Sequence, residues 1–213
     1  MRFKRATAKA AAKAMVKAGL KEKERTVYER IFKVYAVRGI EYQKTFSDVL
    51  LPCGLGLNEF ERVQHAGITA YLRCKFKVLS AYPQTRKVLL KLKARGLVLA
   101  IVTDAPRNKA WQRLVITRLD RDLFDVVITH DDTMQAKPLP HAFKLLLKKT
   151  GFKPQEVLFV GDNPERDIKG AKALGMHTAL ALYGWDLNKN SKVKPEFKLK
   201  RIADLTRVLK RFS

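Results

Sequence analysis

The sequence predicts an α/β protein: a Rossmann-like parallel sheet with helices on both faces, joined to an all-α domain. Three observations carry this. From Tyr82-Pro83 onward, short apolar runs alternate with amphipathic stretches, the rhythm of a parallel sheet covered on both faces. Residues 1–80 show only the helical period. Polar residues stand just after the apolar runs, at Thr103-Asp104 and at Asp162, and such sheets bind ligands at the C-terminal ends of their strands. Two domains follow, 1–80 and 81–213.

The elements are justified in order. Ala8, Ala11, Ala12, Met15, Val16 and Leu20 recur at helical spacing, with Lys9, Lys13 and Lys17 on another face, so Arg5–Ala18 is an amphipathic helix. Further helices are expected over Glu24–Val37 and Glu59–Leu79, with a looser stretch at Phe46–Leu51. Cys53-Gly54-Leu55-Gly56 follows no strand and lacks a third glycine, so it reads as a turn and not as a dinucleotide loop. In the second domain the helix Thr85–Ala94 is closed by Arg95-Gly96. Then come strand Leu97–Val102, helix Arg107–Leu119, strand Asp125–Thr129 and helix Leu139–Lys149. Strand Glu156–Val160 precedes a helix over Pro164–Leu174, which has Pro at its first turn. Strand His177–Ala181, a short strand Phe197–Leu199 and helix Ile202–Phe212 complete the series. Gly184 to Pro195 reads as a mobile polar loop. His65, His130, His141 and His177 are scattered and read as structural. The Trp and Phe residues read as packing.

Composition excludes some classes. No apolar run approaches the ~20 residues of a bilayer span. Two cysteines, Cys53 and Cys74, make neither a disulfide framework nor a metal spacing, and a reducing cytoplasm is the expected location. Net charge is +24, with nine Lys/Arg against two acids in Met1–Arg25 and nine against three in Asp186–Ser213. Such a surface attracts polyanions. The basic residues are spread along the chain without the aromatic interleaving that stacks bases. Nucleic-acid binding is therefore not expected as the main role, and the same field would gather small phosphorylated metabolites.

Three motifs carry chemistry. Thr103-Asp104 closes an apolar strand, where a Thr-Asp pair also serves as an ordinary cap. Lys137-Pro138 precedes a helix. Gly161-Asp162 ends a strand, and Asp167 falls in the first turn of the following helix, so both carboxylates can face one point. Paired carboxylates suit a hard cation such as Mg²⁺; the plainer reading of Asp167 is an acid complementing the helix dipole.

In their order and spacing these motifs resemble the haloacid dehalogenase superfamily. The resemblance runs from about Tyr82 to Leu209. It rests on Ile101-Val102-Thr103-Asp104, on Ala136-Lys137-Pro138-Leu139-Pro140-His141-Ala142-Phe143, and on Val160-Gly161-Asp162-Asn163-Pro164-Glu165-Arg166-Asp167-Ile168 with Gly170-Ala171 and Gly175-Met176. It implies a Mg²⁺-dependent phosphatase acting on a small phosphate monoester through an aspartyl-phosphate, with residues 1–80 as a helical cap and 81–213 as the core. Thr103, Asp104 and Lys137 would hold the phosphoryl group: Thr103 through its hydroxyl, backbone N–H groups just after it, and Lys137 by neutralising charge. Thr103 and Lys137 would act in catalysis. Asp162 would bind the metal, and Asp167 would bind it or orient Lys137. A non-catalytic binder of phosphorylated ligands and a polyanion-binding protein are the alternatives.

The chain departs from the family at its first motif, an apolar strand ending Asp-x-Asp that supplies the nucleophile. Nothing before Thr7 matches it. Asp120-Arg121-Asp122 and Asp131-Asp132-Thr133 stand in the wrong places and read as loops. Met1-Arg2-Phe3-Lys4 resembles the residues just after that motif, so the expectation is a chain short of about 15 residues, one strand of about five among them. In the family that strand is central, between the strands ending at Thr103 and Asp162. Its loss leaves a gap near 10 Å, about two strand spacings, or lets the two flanking strands pair directly. The chain as written is expected to be inactive and prone to aggregate.

Overall fold

A computed structural model of the 213-residue chain describes residues 2–120, 123–184 and 191–211. They form two compact units, Met1–Leu79 and Ser80–Ser213. No described helix is long and apolar enough to cross a membrane.

The first unit is helical: α1 (Arg2–Lys17), α2 (Glu24–Arg38), α3 (Thr45–Leu50) and α4 (Leu57–Val78). The alanine stripe of α1 is buried as its period predicts, with Ala8, Ala11, Ala12 and Met15 in one core with Val27, Ile31 and Val63. Small residues let α1 and α4 approach closely. A Cβ at Gly67 of α4 would lie 2.2 Å from Met15 Cε. Arg62 Nε donates to the Ala18 carbonyl at 3.1 Å, satisfying one of the orphan acceptors at the end of α1.

The second unit holds α5 (Thr85–Ala94), β1 (Ala100–Val102), α6 (Arg107–Ile116), β2 (Val126–Ile128), α7 (His130–Thr133), α8 (His141–Thr150), β3 (Leu158–Gly161), α9 (Lys169–Ala173), β4 (His177–Ala181), β5 (Phe197–Leu199) and α10 (Leu205–Val208). Every strand pair is parallel. β1 pairs with β2, Ile101 opposite Val127. β4 lies between β3 and β5, with Phe159 opposite Thr178 and Leu180 opposite Lys198.

These are two sheets, not one. Of the two outcomes open from sequence, direct closure of the Thr103 strand on the Asp162 strand does not occur: among the described residues β1 and β3 are not hydrogen-bonded neighbours, which leaves a gap between them. Shared helix layers tie the two sheets together. Val102 packs with Phe143, Phe159, Ala171 and Met176. On the other side Leu97, Leu99 and Leu158 join Val88 and Leu92 of α5 with Ala179 and Leu199.

Several elements differ from expectation for local reasons. The first strand starts at Ala100 and not at Leu97; Leu99 is held instead by Asp125, whose N–H bonds its carbonyl and whose carboxylate takes its N–H. The helix expected over Pro164–Leu174 is a π-helical turn, Pro164–Ile168, before α9, because the Asn163 carbonyl accepts from both Asp167 and Ile168. Asp131-Asp132-Thr133 is helical, not a loop. There Asp132 takes the N–H and the hydroxyl of Thr129 at 2.8 and 2.7 Å, a capping box. Trp111 and Phe76 are exposed and not packed inside. Arg121-Asp122 and residues 185–190 of the expected loop lie outside the described residues.

Candidate active site

The candidate residues gather at the C-terminal ends of β1 and β3. Main-chain direction explains how. Asp125 N–H bonds the Leu99 carbonyl and Thr103 N–H bonds the Ile128 carbonyl. Along a strand the main-chain groups alternate sides, so Leu99, Ile101 and Thr103 face β2, while Ala100 and Val102 face the gap. His177 N–H bonds the Val157 carbonyl, so Leu158, Val160 and Asp162 face the gap from the other side.

Lys137 bridges the two edges. Its Nζ donates to the Val102 carbonyl at 3.2 Å and pairs with Asp167 Oδ1 at 2.7 Å. Asp167 Oδ2 accepts the Asp162 and Asn163 N–H groups at 3.2 and 3.0 Å. The side chains of Lys137 and Asp167 are only 10% and 8% exposed. Lys137 Nζ also lies 5.7 Å from the Phe159 ring centroid. The lysine is thus fixed in a low-dielectric setting where its charge acts strongly on an anion.

Thr103 stands at the end of β1. Its hydroxyl oxygen accepts the Ala105 N–H at 3.1 Å, which leaves the hydroxyl proton for donation outward. Asp104 turns inward. Its Oδ1 accepts the Lys137 N–H at 3.0 Å, and its Oδ2 is paired with Arg166 Nη2. The Asp104 carboxylate therefore staples the Lys137 loop and the π turn to the end of β1. Any service to an anion comes from the backbone around it.

Asp162 follows β3. Glycines on two sides make its surroundings possible: a Cβ at Gly161 would fall 2.3 Å from Asp167 Cβ, and one at Gly184 would fall 2.2 Å from Asp162 Cβ. The rings of Tyr82 and Tyr183 meet edge to face at 4.9 Å. Burial pushes the Tyr183 phenol up to about 12, helped by the neighbouring Tyr82 and the Asp162 carboxylate. Tyr82 is raised by the same two influences, burial and then Asp162.

The donor set bears on a metal. Among the described residues no three His, Cys, Asp or Glu side chains converge as a cation cage. Both Asp167 oxygens are taken by protein donors, so of the two carboxylates expected at a metal, Asp167 is the one engaged with Lys137. The Asp162 carboxylate fits Mg²⁺, which is commonly held by one or two carboxylates with water and substrate phosphate completing its octahedron.

Sequence reasoning missed two participants. Asn163 caps the π turn by accepting the Glu165 and Arg166 N–H groups; an Asn before a Pro at a helix start was the available signal. Arg166, 35% exposed at its side chain, offers a second cation beside the site and carried no local signal.

A family model described as haloacid dehalogenase-like hydrolase matches residues 3–175. The chain is 37% identical to the glyceraldehyde 3-phosphate phosphatase of Methanocaldococcus jannaschii, over 82% of this chain and 75% of the relative. It is 34% identical to the pyrophosphatase PpaX of Bacillus cereus, over 62% and 61%. Among solved structures, a HAD phosphatase from Thermococcus onnurineus superposes with a TM-score of 0.70 at 25% identity, covering 93% of this chain and 87% of that one.

Proposed function

Because this chain belongs to the haloacid dehalogenase-like hydrolases, we propose that it provides the phosphate-handling body of a Mg²⁺-dependent phosphatase for small phosphorylated metabolites. The observation that carries the reading is the Lys137 bridge: one buried cation fixed between two parallel strand ends, with the Thr103 hydroxyl on one side and Asp162 on the other. Thr103 donates its hydroxyl proton to a phosphoryl oxygen, and the N–H groups that follow it donate alongside. Lys137 offsets negative charge on the phosphoryl group. Asp167 positions Lys137 and closes the turn after β3. Asp162 holds Mg²⁺, which when bound supplies further neutralisation of the phosphoryl oxygens. Phosphoryl transfer depends mainly on positioning and charge stabilisation, and this set provides both. Residues 1–79 act as the cap and residues 80–213 as the core. Glyceraldehyde 3-phosphate is the first substrate to assay, because the M. jannaschii relative is named for it. Both cysteines are free thiols, in keeping with a reducing cytoplasm.

The reading is tested by ³¹P NMR of inorganic phosphate titrated with the 213-residue chain in MgCl₂. Saturable broadening is expected, with affinity weakened about tenfold in Lys137→Ala, the loss of one charge-assisted contact. Broadening in Lys137→Ala and in Asp162→Ala equal to that of the unsubstituted chain would overturn the assignment.

A further inference from the structure

We propose that the lysine-lined groove between α9 and the segment leading into β5 is a docking surface for the sugar-phosphate backbone of duplex DNA, bound without regard to sequence. The groove has a volume of about 440 Å³. Lys169, Lys172 and Ala173 line one side, and Lys192, Val193 and Lys194 line the other. No acidic side chain lines it. None of these residues belongs to the phosphate site described above.

Backbone geometry gathers the lysines. Over residues 192–200 exposure alternates: Lys192, Lys194, Lys198 and Lys200 are exposed, Val193, Pro195 and Phe197 are half-buried, and Leu199 is buried. Alternate side chains of an extended chain share one face, about 6.6 Å apart. Strand register says which face this is. Phe197 and Leu199 pack with Val88 and Leu92 of α5. Phe159 lies opposite Thr178, and Lys198 opposite Leu180, two residues further along β4. Lys198 therefore shares the face of Phe159, which packs with Ala171 of α9, and it is exposed there. The start of the lysine segment is tied down. Ser191 Oγ donates to Glu165 Oε1 at 2.7 Å and accepts the Val193 N–H at 3.0 Å, which fastens it to the π turn before α9. The acid in the row, Glu196, is turned to His177 Nδ1 on β4, at 2.7 Å.

Residue types choose the occupant. Lysine meets phosphate oxygens as a point charge. No aromatic side chain lines the groove, so the unstacked bases of a single strand find no platform, whereas a duplex keeps its bases stacked and presents its backbone. No Arg, Asn or Gln lines it either, so base edges go unread. A duplex carries one charge per about 1.7 Å of axis, denser than the about 3.3 Å per residue of an extended acidic peptide. The net charge of +24 adds long-range attraction.

The probe is a fluorescein-labelled DNA duplex of mixed sequence, about 20 base pairs long, titrated with the full chain across a KCl series and read by anisotropy. Saturable binding is expected. Combining Lys169→Gln, Lys172→Gln, Lys192→Gln and Lys194→Gln should weaken it about tenfold or more near 100 mM KCl, and should reduce the salt slope by roughly 0.9 for each lysine that meets a phosphate. Arg at the same four positions should preserve binding. An equal loss of charge elsewhere, Lys9→Gln, Lys13→Gln, Lys17→Gln and Lys21→Gln, all exposed positions, should cost much less. Equal losses in the two four-Gln variants would assign binding to net charge and overturn the groove, as would the absence of saturable binding. A single strand or a glutamate peptide of the same charge bound as tightly as the duplex would overturn the choice of occupant. Lys137→Ala should leave duplex binding unchanged; loss of binding there would give the duplex to the phosphate site and overturn the groove.

Discussion

Lys137 joins three parts of the second unit through side-chain and backbone contacts: the end of β1 through the Val102 carbonyl, the π turn through Asp167, and the Asp104 carboxylate through its own N–H. Removing one partner of a buried pair leaves the other charge uncompensated, at a cost of about 3–5 kcal/mol. Lys137→Met should therefore lower the urea midpoint clearly, and Lys137→Met with Asp167→Asn should recover much of the loss. A double variant no more stable than the single one would show that the pair is not what holds Lys137. Tyr183 makes a second residue-scale prediction. Its phenol ionises near 10 in the unfolded chain and at about 12 in the fold. The neutral form is the one the fold favours, so this contribution to stability is complete below pH 10 and is lost as pH rises toward 12. Absorbance titration near 295 nm should show Tyr183 among the late-ionising tyrosines, with Tyr35 also held up by burial, and Tyr183→Phe should remove one of them and flatten the loss of stability in that window.

At the scale of elements, the strand ends are set by small local devices. Gly161 is one of them, since any Cβ there strikes Asp167. Gly161→Ala should displace Asp167 and weaken the Lys137 bridge, read as a lower melting temperature together with poorer phosphate binding. α7 depends on the Thr129–Asp132 capping box, where Asp132 is held below the usual carboxylate range, chiefly by its bonds from Thr129. Asp132→Ala should cost about 1 kcal/mol, measured by urea unfolding at pH 7. The Asp132 contribution is present above its unfolded pKa and is lost as pH falls through the lower folded one. These devices mark the boundary of what the sequence made legible. Thr85–Ala94 and the β4 and β5 strands were readable to the residue, because periodicity, glycine stops and apolar runs agree there. The α7 turn was not, because a four-residue helix has no period to detect. The split of Pro164–Leu174 was not either, because one carbonyl accepting two N–H groups is a choice of geometry that residue types do not announce. At the candidate site, the positions of Thr103 and Asp162 at strand ends were legible from the apolar runs before them, while Lys137 carried only a Lys-Pro step before a helix. The division of labour between Asp162 and Asp167 was not, since it depends on which oxygens the protein itself occupies.

At the scale of the molecule, the first unit closes its core, while among the described residues of the second no strand pairs with the outer edge of β1 or of β3. Ala100 and Val160 on those edges are exposed, so their amides are open to exchange with solvent. In isolation the 213-residue chain should bind a hydrophobic dye at 25 °C and exchange the Ala100, Leu158 and Val160 amides faster than that of Phe159. No dye binding, with equal protection of the Ala100, Leu158, Val160 and Phe159 amides, would contradict this. The central claim is that Thr103, Lys137 and Asp162 form the phosphate end of the proposed site, and that among the described residues the carboxylates at these strand ends, Asp104 and Asp167, are engaged by Arg166 and Lys137 and not offered as nucleophiles. The most direct measurement is Mg²⁺-dependent hydrolysis of glyceraldehyde 3-phosphate by two forms: the 213-residue chain alone, and the same chain extended at its N-terminus by an apolar strand ending Asp-x-Asp. The account predicts no turnover in the first form, and turnover in the second that is lost in Lys137→Ala and in Asp162→Ala. Turnover by the unextended chain, or a folded extended chain with none, would contradict it.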